Sequence, residues 1–302
     1  MASEENSKLR SLAFPARLWD HFVGPFRRGV PPPAQPATGF YTDTTVCIGC
    51  KACEVACKQW NQLPADGFHW TGNSYDNTGE LSATSWRHVK FVEQFSDGRG
   101  AKLSLDVVPD TEPAPDRWLM MSDVCKHCVA APCQQGCPTG ALIHNEFQNV
   151  YIQPDICNGC SYCIAACPFG VITRSTLDGH AHKCTLCFDR QRDGLVPACA
   201  KACPTQSIQF GPLDELRERA NRRVEELHRR GVPSAHLYGD ESTDTYSALN
   251  SFYLLIDRPA VYGLPENPFN PWLHMTGDYV RAVAGGLAAV AVVLATFLVL
   301  GR

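Results

Sequence analysis

The spacing of apolar residues predicts one amphipathic helix in the second half of the chain. Five apolar residues recur three or four positions apart: Leu213, Leu216, Ala220, Val224 and Leu227. This spacing places them on one face of a helix. Acidic residues open the segment, and arginines close it before Gly231, which suits the helix dipole and a C-terminal cap. A half-buried surface helix is therefore predicted over residues 213–231, with a dedicated docking helix as the alternative.

The last part of the sequence has a different pattern, because apolar residues occupy every face. No charge occurs from Ala282 to Leu300, a run that spans roughly 28 Å as a helix and so matches a bilayer. The alternative is a buried core helix. Arg281 and Arg302 flank the run, one on each side, so charge does not decide its orientation. Small residues within it predict close packing against another membrane helix.

The rest of the sequence shows shorter or weaker patterns. Residues 141–144 and 150–153 predict two strands joined by a turn. Residues 1–40, with the run GVPPPAQPATG, predict an irregular N-terminal arm. Residues 58–117 are a cysteine-free insertion rich in Trp, Asn, Asp and Gly, and residues 232–278 predict an irregular strap that leads to the membrane segment.

The composition changes this picture because sixteen of the 302 residues are cysteine. Such usage points to disulfides, zinc or iron–sulfur clusters. Apolar residues make up 44%, enough for a core, and a formal net charge of −4 provides no basic surface for nucleic acid. Pro15, Arg17 and Asp20 interrupt the apolar start of the sequence, so no secretory signal is predicted there.

All the cysteines fall into four groups of four. In sequence order the groups are Cys47, Cys50, Cys53 and Cys57; Cys125, Cys128, Cys133 and Cys137; Cys157, Cys160, Cys163 and Cys167; and Cys184, Cys187, Cys199 and Cys203. Groups one and three have the spacing C-x2-C-x2-C-x3-C, and a proline follows groups two, three and four. The run C-x2-C-x2-C-x3-C followed by proline is the bacterial ferredoxin signature of a [4Fe–4S] cluster.

Two other uses of these cysteines fit the spacing less well. A four-ligand zinc site usually joins two distant pairs, whereas group one places four cysteines within eleven residues. Disulfides need a suitable separation of Cα atoms, which cysteines packed this closely could not all find. The spacing therefore favours iron–sulfur clusters, and a membrane-tethered zinc scaffold is the alternative from a different class.

The offset of the fourth cysteine predicts which thiols share a cluster. The first three thiolates of a group reach one cluster, while the fourth points away and ligates the other cluster of a pair. Groups two and three are joined by the predicted strand pair, and an internal repeat relates CPTQSIQF to CPTGALIH and CIGCKAC to CNGCSYC. The predicted sets are cluster A, Cys47, Cys50, Cys53 and Cys203; cluster B, Cys184, Cys187, Cys199 and Cys57; cluster C, Cys125, Cys128, Cys133 and Cys167; and cluster D, Cys157, Cys160, Cys163 and Cys137.

These sets predict the fold class and the order of domains. The fold is predicted to be α+β, with two bacterial-ferredoxin-like two-cluster domains that carry insertions and a single C-terminal transmembrane helix. The predicted segments are an N-terminal arm, 1–40; a first unit, 41–117 with 176–212, that contains the insertion 58–117; a second unit, 118–175; a surface helix and strap, 213–278; and a membrane anchor, 279–302.

Other polar residues near the cysteines receive supporting roles. His127, between two predicted ligands, is predicted to pack or to face solvent and not to bind iron. Lys183 and Arg174 are predicted to offset thiolate charge. No histidine or pair of carboxylates stands out as a general acid or base, so no catalytic residue is predicted and the protein is expected to be inert as an enzyme by itself.

Several motifs together resemble a known family. CIGCKACEVACKQWN, the block SYDNTGELSATSW at 74–86, KCTLCFDR and PACAKACPT are similar to the four-cluster β subunits of membrane-bound molybdopterin oxidoreductases, and within these to respiratory, quinone-linked formate dehydrogenase. The resemblance covers roughly residues 41–300. Nitrate reductase relatives replace one cysteine with tryptophan, whereas here every ligand position is cysteine.

The resemblance implies an electron-transfer role within a three-part complex. Electrons would come from a catalytic α subunit with a molybdenum or tungsten bis-pterin centre, and would leave to a cytochrome b γ subunit in the membrane. It also implies that the cluster domain lies on the outer face of the cell membrane and the C-terminus in the cytoplasm. Equivalent subunits that serve thiosulfate, polysulfide, dimethyl sulfoxide or tetrathionate enzymes, or a hydrogenase, are the alternatives, because the catalytic partner selects the substrate.

Overall fold

The computed structural model describes residues 35–67, 75–95 and 117–300. Most of the predicted N-terminal arm, two stretches of the insertion and Arg302 therefore lie outside the described residues. The last positions of the predicted arm are not irregular, because strand β1 occupies Thr38–Asp43. The backbone amide of Thr38 donates to the carbonyl of Phe147, so regular structure starts before the boundary that the sequence predicts.

A pair of antiparallel strands connects each cysteine group to the next. The pairs are β2 (Arg87–Gln94) with β3 (Arg117–Val124), β4 (Leu142–His144) with β5 (Val150–Ile152), and β6 (Thr173–Arg174) with β7 (Ala181–His182). The strands predicted over 141–144 and 150–153 are thus present, each one residue shorter. After group four, β8 (Ile208–Pro212) pairs with β1, which precedes group one, so the repeated pattern closes into a ring.

Five short helices follow or include the cysteine loops, and four of them carry cysteines. They are α1 (Ala52–Trp60), α2 (Pro132–Gln135), α3 (Tyr162–Ala166), α4 (Phe188–Arg192) and α5 (Ala198–Ala202). Helix α1 packs on α5, which joins groups one and four, and α2 packs on α3, which joins groups two and three. The two contacts bring together the groups that are predicted to share clusters.

The segment predicted as an irregular strap contains two strands, and this prediction is wrong. Strands β9 (His236–Tyr238) and β10 (Ser251–Leu255) complete a four-stranded sheet in the order β8-β1-β10-β9, in which β10 runs parallel to β1. Every residue of β10 is buried. Phe252 and Leu254 face one apolar core, while Tyr253 and Leu255 face the core that contains the cysteines, because alternate side chains leave opposite faces of a strand.

Helix α6 (Leu213–Arg229) confirms the amphipathic helix predicted from the apolar spacing. Its apolar face covers β1 and β10, where Leu216 and Ala220 pack with Tyr41 and Phe252. The helix ends two residues before Gly231, which has a positive φ of +85°. A half-buried surface helix is therefore the correct interpretation of this pattern.

Helix α7 (Pro271–Leu300) includes the predicted membrane segment and begins well before it. Within it, Gly277–Leu298 is apolar enough and long enough to cross a membrane, and none of that span is buried inside the protein. A buried core helix does not fit this exposure. At the start of the helix, the side-chain amide of Asn270 donates to the carbonyl of Ala130, which holds α7 beside α2.

Candidate iron–sulfur centres

The loops that carry the cysteines share one unusual backbone feature. The residue before the second cysteine has a positive φ in all four groups: Gly49 at +65°, His127 at +44°, Gly159 at +68° and Leu186 at +56°. In groups one and three, Lys51 and Ser161 add a second such residue directly after that cysteine. Successive amides turned in this way form concave nests that bind anions, including iron–sulfur clusters.

Glycine is required at two of these positions by close contact as well as by φ. A Cβ atom on Gly159 would lie 2.2 Å from the carbonyl oxygen of Gly179. A Cβ atom on Gly49 would lie 2.6 Å from Cε1 of Phe91. The two C-x2-C-x2-C loops are therefore held closely by the strand pairs beside them.

The thiol of Cys57 lies among those of group four, although it comes from group one. Burial raises its pKa well above the ordinary value, and the thiols of Cys184, Cys199 and Cys187 raise it further. The matching arrangement, in which Cys203 of group four lies near Cys47 of group one, is less buried. Burial also raises the pKa of Cys47, and the thiols of Cys203 and Cys50 contribute in the same direction. The fourth cysteine of each of these two groups thus lies near thiols of the other group.

The fourth cysteines of groups two and three are arranged in the same way. A cavity is lined by Cys125, Cys128 and Cys133 from group two and by Cys167 from group three. Its remaining walls are mostly apolar, with Val150, Phe169, Val171 and Ile172. In the neighbouring set, burial raises the pKa of Cys163 to about 11, and the thiols of Cys157, Cys137 and Cys160 contribute.

The chemistry of the donor set fits iron–sulfur clusters. All sixteen cysteines are free thiols. Among the described residues, no group of three His, Cys, Asp or Glu side chains is arranged to hold a single metal ion. Hydrogen-bond donors also reach the sulfur atoms: the Tyr246 hydroxyl lies 3.0 Å from Sγ of Cys128, and the Leu186 amide lies 3.2 Å from Sγ of Cys184. Such bonds stabilise thiolate ligands and help to set cluster potentials.

The supporting residues predicted from the sequence have different surroundings. Lys183 is buried, donates to the carbonyls of Val150 and Cys184, and its charge lowers the pKa of Cys133 against the larger effect of burial. Arg174 is exposed and donates to the carbonyl of Gly179, so it supports a turn. His127 is fully buried, and burial holds its pKa well below the ordinary range. It packs inside the protein and does not face solvent.

One charged residue near the thiols was not found from the sequence. Arg87 in β2 is only 2% exposed, and its charge lowers the pKa values of Cys53, Cys57 and Cys184. It lies thirty residues after Cys57 in the sequence, outside every cysteine motif. The one local signal for Arg87 is its position directly after the block at 74–86. The strand pairing that buries it cannot be read from local spacing.

Paired cysteine groups on a ferredoxin-like framework define a class of protein, the iron–sulfur electron carriers. Comparison with known families agrees with this class. Residues 46–141 and residues 116–213 each match a 4Fe-4S dicluster domain. These matches confirm the predicted fold class of two ferredoxin-like domains with one candidate C-terminal transmembrane helix.

Individual relatives identify the family more narrowly. The protein is 40% identical over 230 residues to the iron-sulfur subunit of nitrate-inducible formate dehydrogenase from Escherichia coli K12, covering 75% of its own length and 71% of the relative. It is 35% identical over 255 residues to the formate dehydrogenase iron-sulfur subunit of Haemophilus influenzae, covering 82% and 76%. It belongs to the family of formate dehydrogenase iron–sulfur subunits, as the sequence motifs predict.

A relative from the alternative branch matches less well. One subunit of anaerobic dimethyl sulfoxide reductase from Escherichia coli K12 is 32% identical over 181 residues, which cover 60% of the present protein and 76% of the relative. The alternative substrate class is therefore the weaker interpretation, and the formate branch is the better supported one.

Proposed function

We propose that this protein carries electrons through four [4Fe–4S] clusters, from a formate-oxidising subunit with a molybdenum or tungsten bis-pterin centre to a cytochrome b subunit in the membrane. The observation that carries the proposal is that the fourth cysteine of each group lies near thiols of its partner group, which supports four sets of four thiols. Each cluster would supply reversible one-electron chemistry. The protein supplies the thiolates, the amide nests and the buried positive charges.

The proposed ligands are the four sets that the cysteine offset predicts. Cluster A takes Cys47, Cys50, Cys53 and Cys203; cluster B takes Cys184, Cys187, Cys199 and Cys57; cluster C takes Cys125, Cys128, Cys133 and Cys167; and cluster D takes Cys157, Cys160, Cys163 and Cys137. Clusters A and B belong to a first unit built from 41–117 and 176–212, and clusters C and D to a second unit, 118–175. The packing of α1 on α5 and of α2 on α3 supports this division.

The neighbourhood of the thiols supports a linear order from A to D. The thiol of Cys199 in set B helps to raise the pKa of Cys53 in set A, and the thiol of Cys125 in set C helps to raise the pKa of Cys184 in set B. Sets C and D share groups two and three. Only the end sets contain an exposed thiol, Cys50 in set A and Cys160 in set D. We infer that partners exchange electrons with the protein at these two ends.

The position of α7 indicates which end lies nearer the membrane. The start of α7 packs on α2, and α2 packs on α3, which carries Cys163 of set D. Set D is therefore proposed as the exit toward the cytochrome b subunit, and set A as the entry from the catalytic subunit. The single span anchors the protein in the cell membrane, with the cluster domain proposed on the outer face and the C-terminus in the cytoplasm.

Purification through this subunit under anaerobic conditions tests the proposal. The complex should contain a molybdopterin subunit and a cytochrome b subunit, reduce dyes with formate, and show paramagnetic signals of four clusters on reduction. The isolated subunit should hold about sixteen iron atoms and accept electrons without oxidising formate. A zinc-loaded, colourless protein would refute the cluster assignment. A complex that turns over dimethyl sulfoxide or thiosulfate but not formate would refute the substrate.

A further inference from the structure

A side-chain relay connects a buried arginine to one of the proposed cluster ligands. Nη1 of Arg87 donates to Oγ of Ser122 over 2.9 Å, and Oγ of Ser122 lies 3.2 Å from Sγ of Cys53. Arg87 is on β2 and Ser122 on the paired strand β3. Because a guanidinium can only donate, the serine oxygen accepts from it, and the single hydroxyl proton is free to point at the sulfur. The strand pairing therefore aims a hydrogen bond at Cys53.

The same arginine brings a positive charge into the protein without a carboxylate partner among the described residues. No carboxylate of the described residues forms an ion pair with Arg87, and its Nη2 atom has no hydrogen-bond partner among them. Its guanidinium lies over the ring of Phe40, 4.8 Å from the centroid. A buried charge is costly unless a group of opposite sign lies close by. Lys126, by contrast, is also fully buried but pairs with Asp123.

The geometry links Arg87 to set A, because Ser122 joins its guanidinium to Sγ of Cys53. A cluster held by set A would supply negative charge close to the guanidinium.

We propose that Arg87 and Ser122 tune the reduction potential of cluster A, Ser122 through its hydrogen bond to Cys53 and Arg87 through its charge and its hold on the serine hydroxyl. The inference rests on the proposed ligand sets. A reduced cluster carries one more negative charge than an oxidised one, so a nearby cation and a hydrogen bond to sulfur both favour the reduced state and raise the potential. Arg87 and Ser122 are positioning residues, since neither carries the electron itself.

Potentiometric titration of the intact complex, followed by electron paramagnetic resonance, tests this assignment. Signals of clusters A and B are first assigned with Cys50→Ser and Cys187→Ser. Ser122→Ala should lower the midpoint of cluster A and leave cluster B unchanged. Arg87→Gln should also lower the midpoint of cluster A, and Arg87→Lys, which keeps the charge, should lower it less. The midpoint shifts caused by Ser122→Ala and Arg87→Gln should be non-additive at cluster A, because the arginine directs the serine proton.

A matched control acts at another cluster. Tyr246→Phe removes the hydroxyl beside Sγ of Cys128 and should shift cluster C alone. If Ser122→Ala and Arg87→Gln leave the midpoint of cluster A at its unsubstituted value while Tyr246→Phe shifts C, the inference is wrong although the proposed function stands. If the purified complex lacks four clusters, the proposed function fails first. Where Arg87→Gln fails to assemble, Ser122→Ala and Arg87→Lys still decide the outcome.

Discussion

Lys126 ties a cysteine loop to the central sheet through a buried charge network, and its removal should accelerate loss of the clusters. Its ammonium group donates to the carboxylate of Asp123, to the carbonyl of Val124 at 2.8 Å and to the hydroxyl of Tyr253 at 3.1 Å. The Tyr253 hydroxyl in turn donates to Asp123 over 3.2 Å. Lys126 lies between Cys125 and Cys128, while Tyr253 lies on β10, so the network joins residues that are 127 positions apart.

The size of the effect follows from burial. The side chains of Lys126 and Asp123 are 0% and 5% exposed, and breaking a buried pair from one side typically costs about 3–5 kcal/mol. Lys126→Met leaves Asp123 with Lys90, whose Nζ is 3.0 Å from the other carboxylate oxygen, so the lower end applies. A loss of about 3 kcal/mol in the free energy of unfolding corresponds to a roughly 150-fold change in the equilibrium constant. The unfolding rate rises by this factor if the network is already broken in the transition state.

The assay follows cluster absorbance in anaerobic guanidinium chloride, because a cluster-bearing protein unfolds irreversibly and its stability is measured as a rate. Arg222→Met is the control, since Arg222 and Glu218 form an ion pair whose side chains are 66% and 77% exposed. Exposed pairs contribute about 1 kcal/mol or less, so the control rate should rise about fivefold at most. The reasoning is refuted if Lys126→Met loses its clusters no faster than Arg222→Met.

Three further predictions concern the ligand sets, the backbone and the membrane span. Cys137→Ser should damage cluster D, held by Cys157, Cys160 and Cys163, and spare the cluster held by Cys125, Cys128 and Cys133; paramagnetic spectra showing the reverse would contradict the exchange of fourth cysteines. Gly159→Ala should deplete cluster D, because the new methyl group meets the Gly179 carbonyl, whereas Gly194→Ala, with a positive φ but open space around it, should keep the full iron content. Truncation after Asp278 should release a complex with the catalytic subunit that reduces dyes with formate but not quinone; full quinone reduction by the truncated form in membranes would show that the span is dispensable.

The local sequence determined the kind of chemistry. Cysteines three and four positions apart impose a tight loop and a following helical turn by themselves, so their spacing indicates a cluster without knowledge of distant residues. The apolar spacing from Leu213 to Leu227 and the uncharged run from Ala282 to Leu300 are equally local, and both helices are present. The strand pair between groups two and three was also predictable, because only a short turn separates its members.

Tertiary structure alone decided which distant segments complete the site. The apolar run from Phe252 to Ile256 is long enough for a buried strand, but only the tertiary structure places it as β10 in the interior of the sheet, where it separates the two cores. Arg87 and Lys126 read as ordinary surface charges in the sequence, since burial is set by the strands that cover them. Long-range pairing depends on the sum of many weak contacts, whereas a ligand motif is written in consecutive residues. For this reason the sequence by itself predicts which thiols bind iron, and only the fold places the charges beside them.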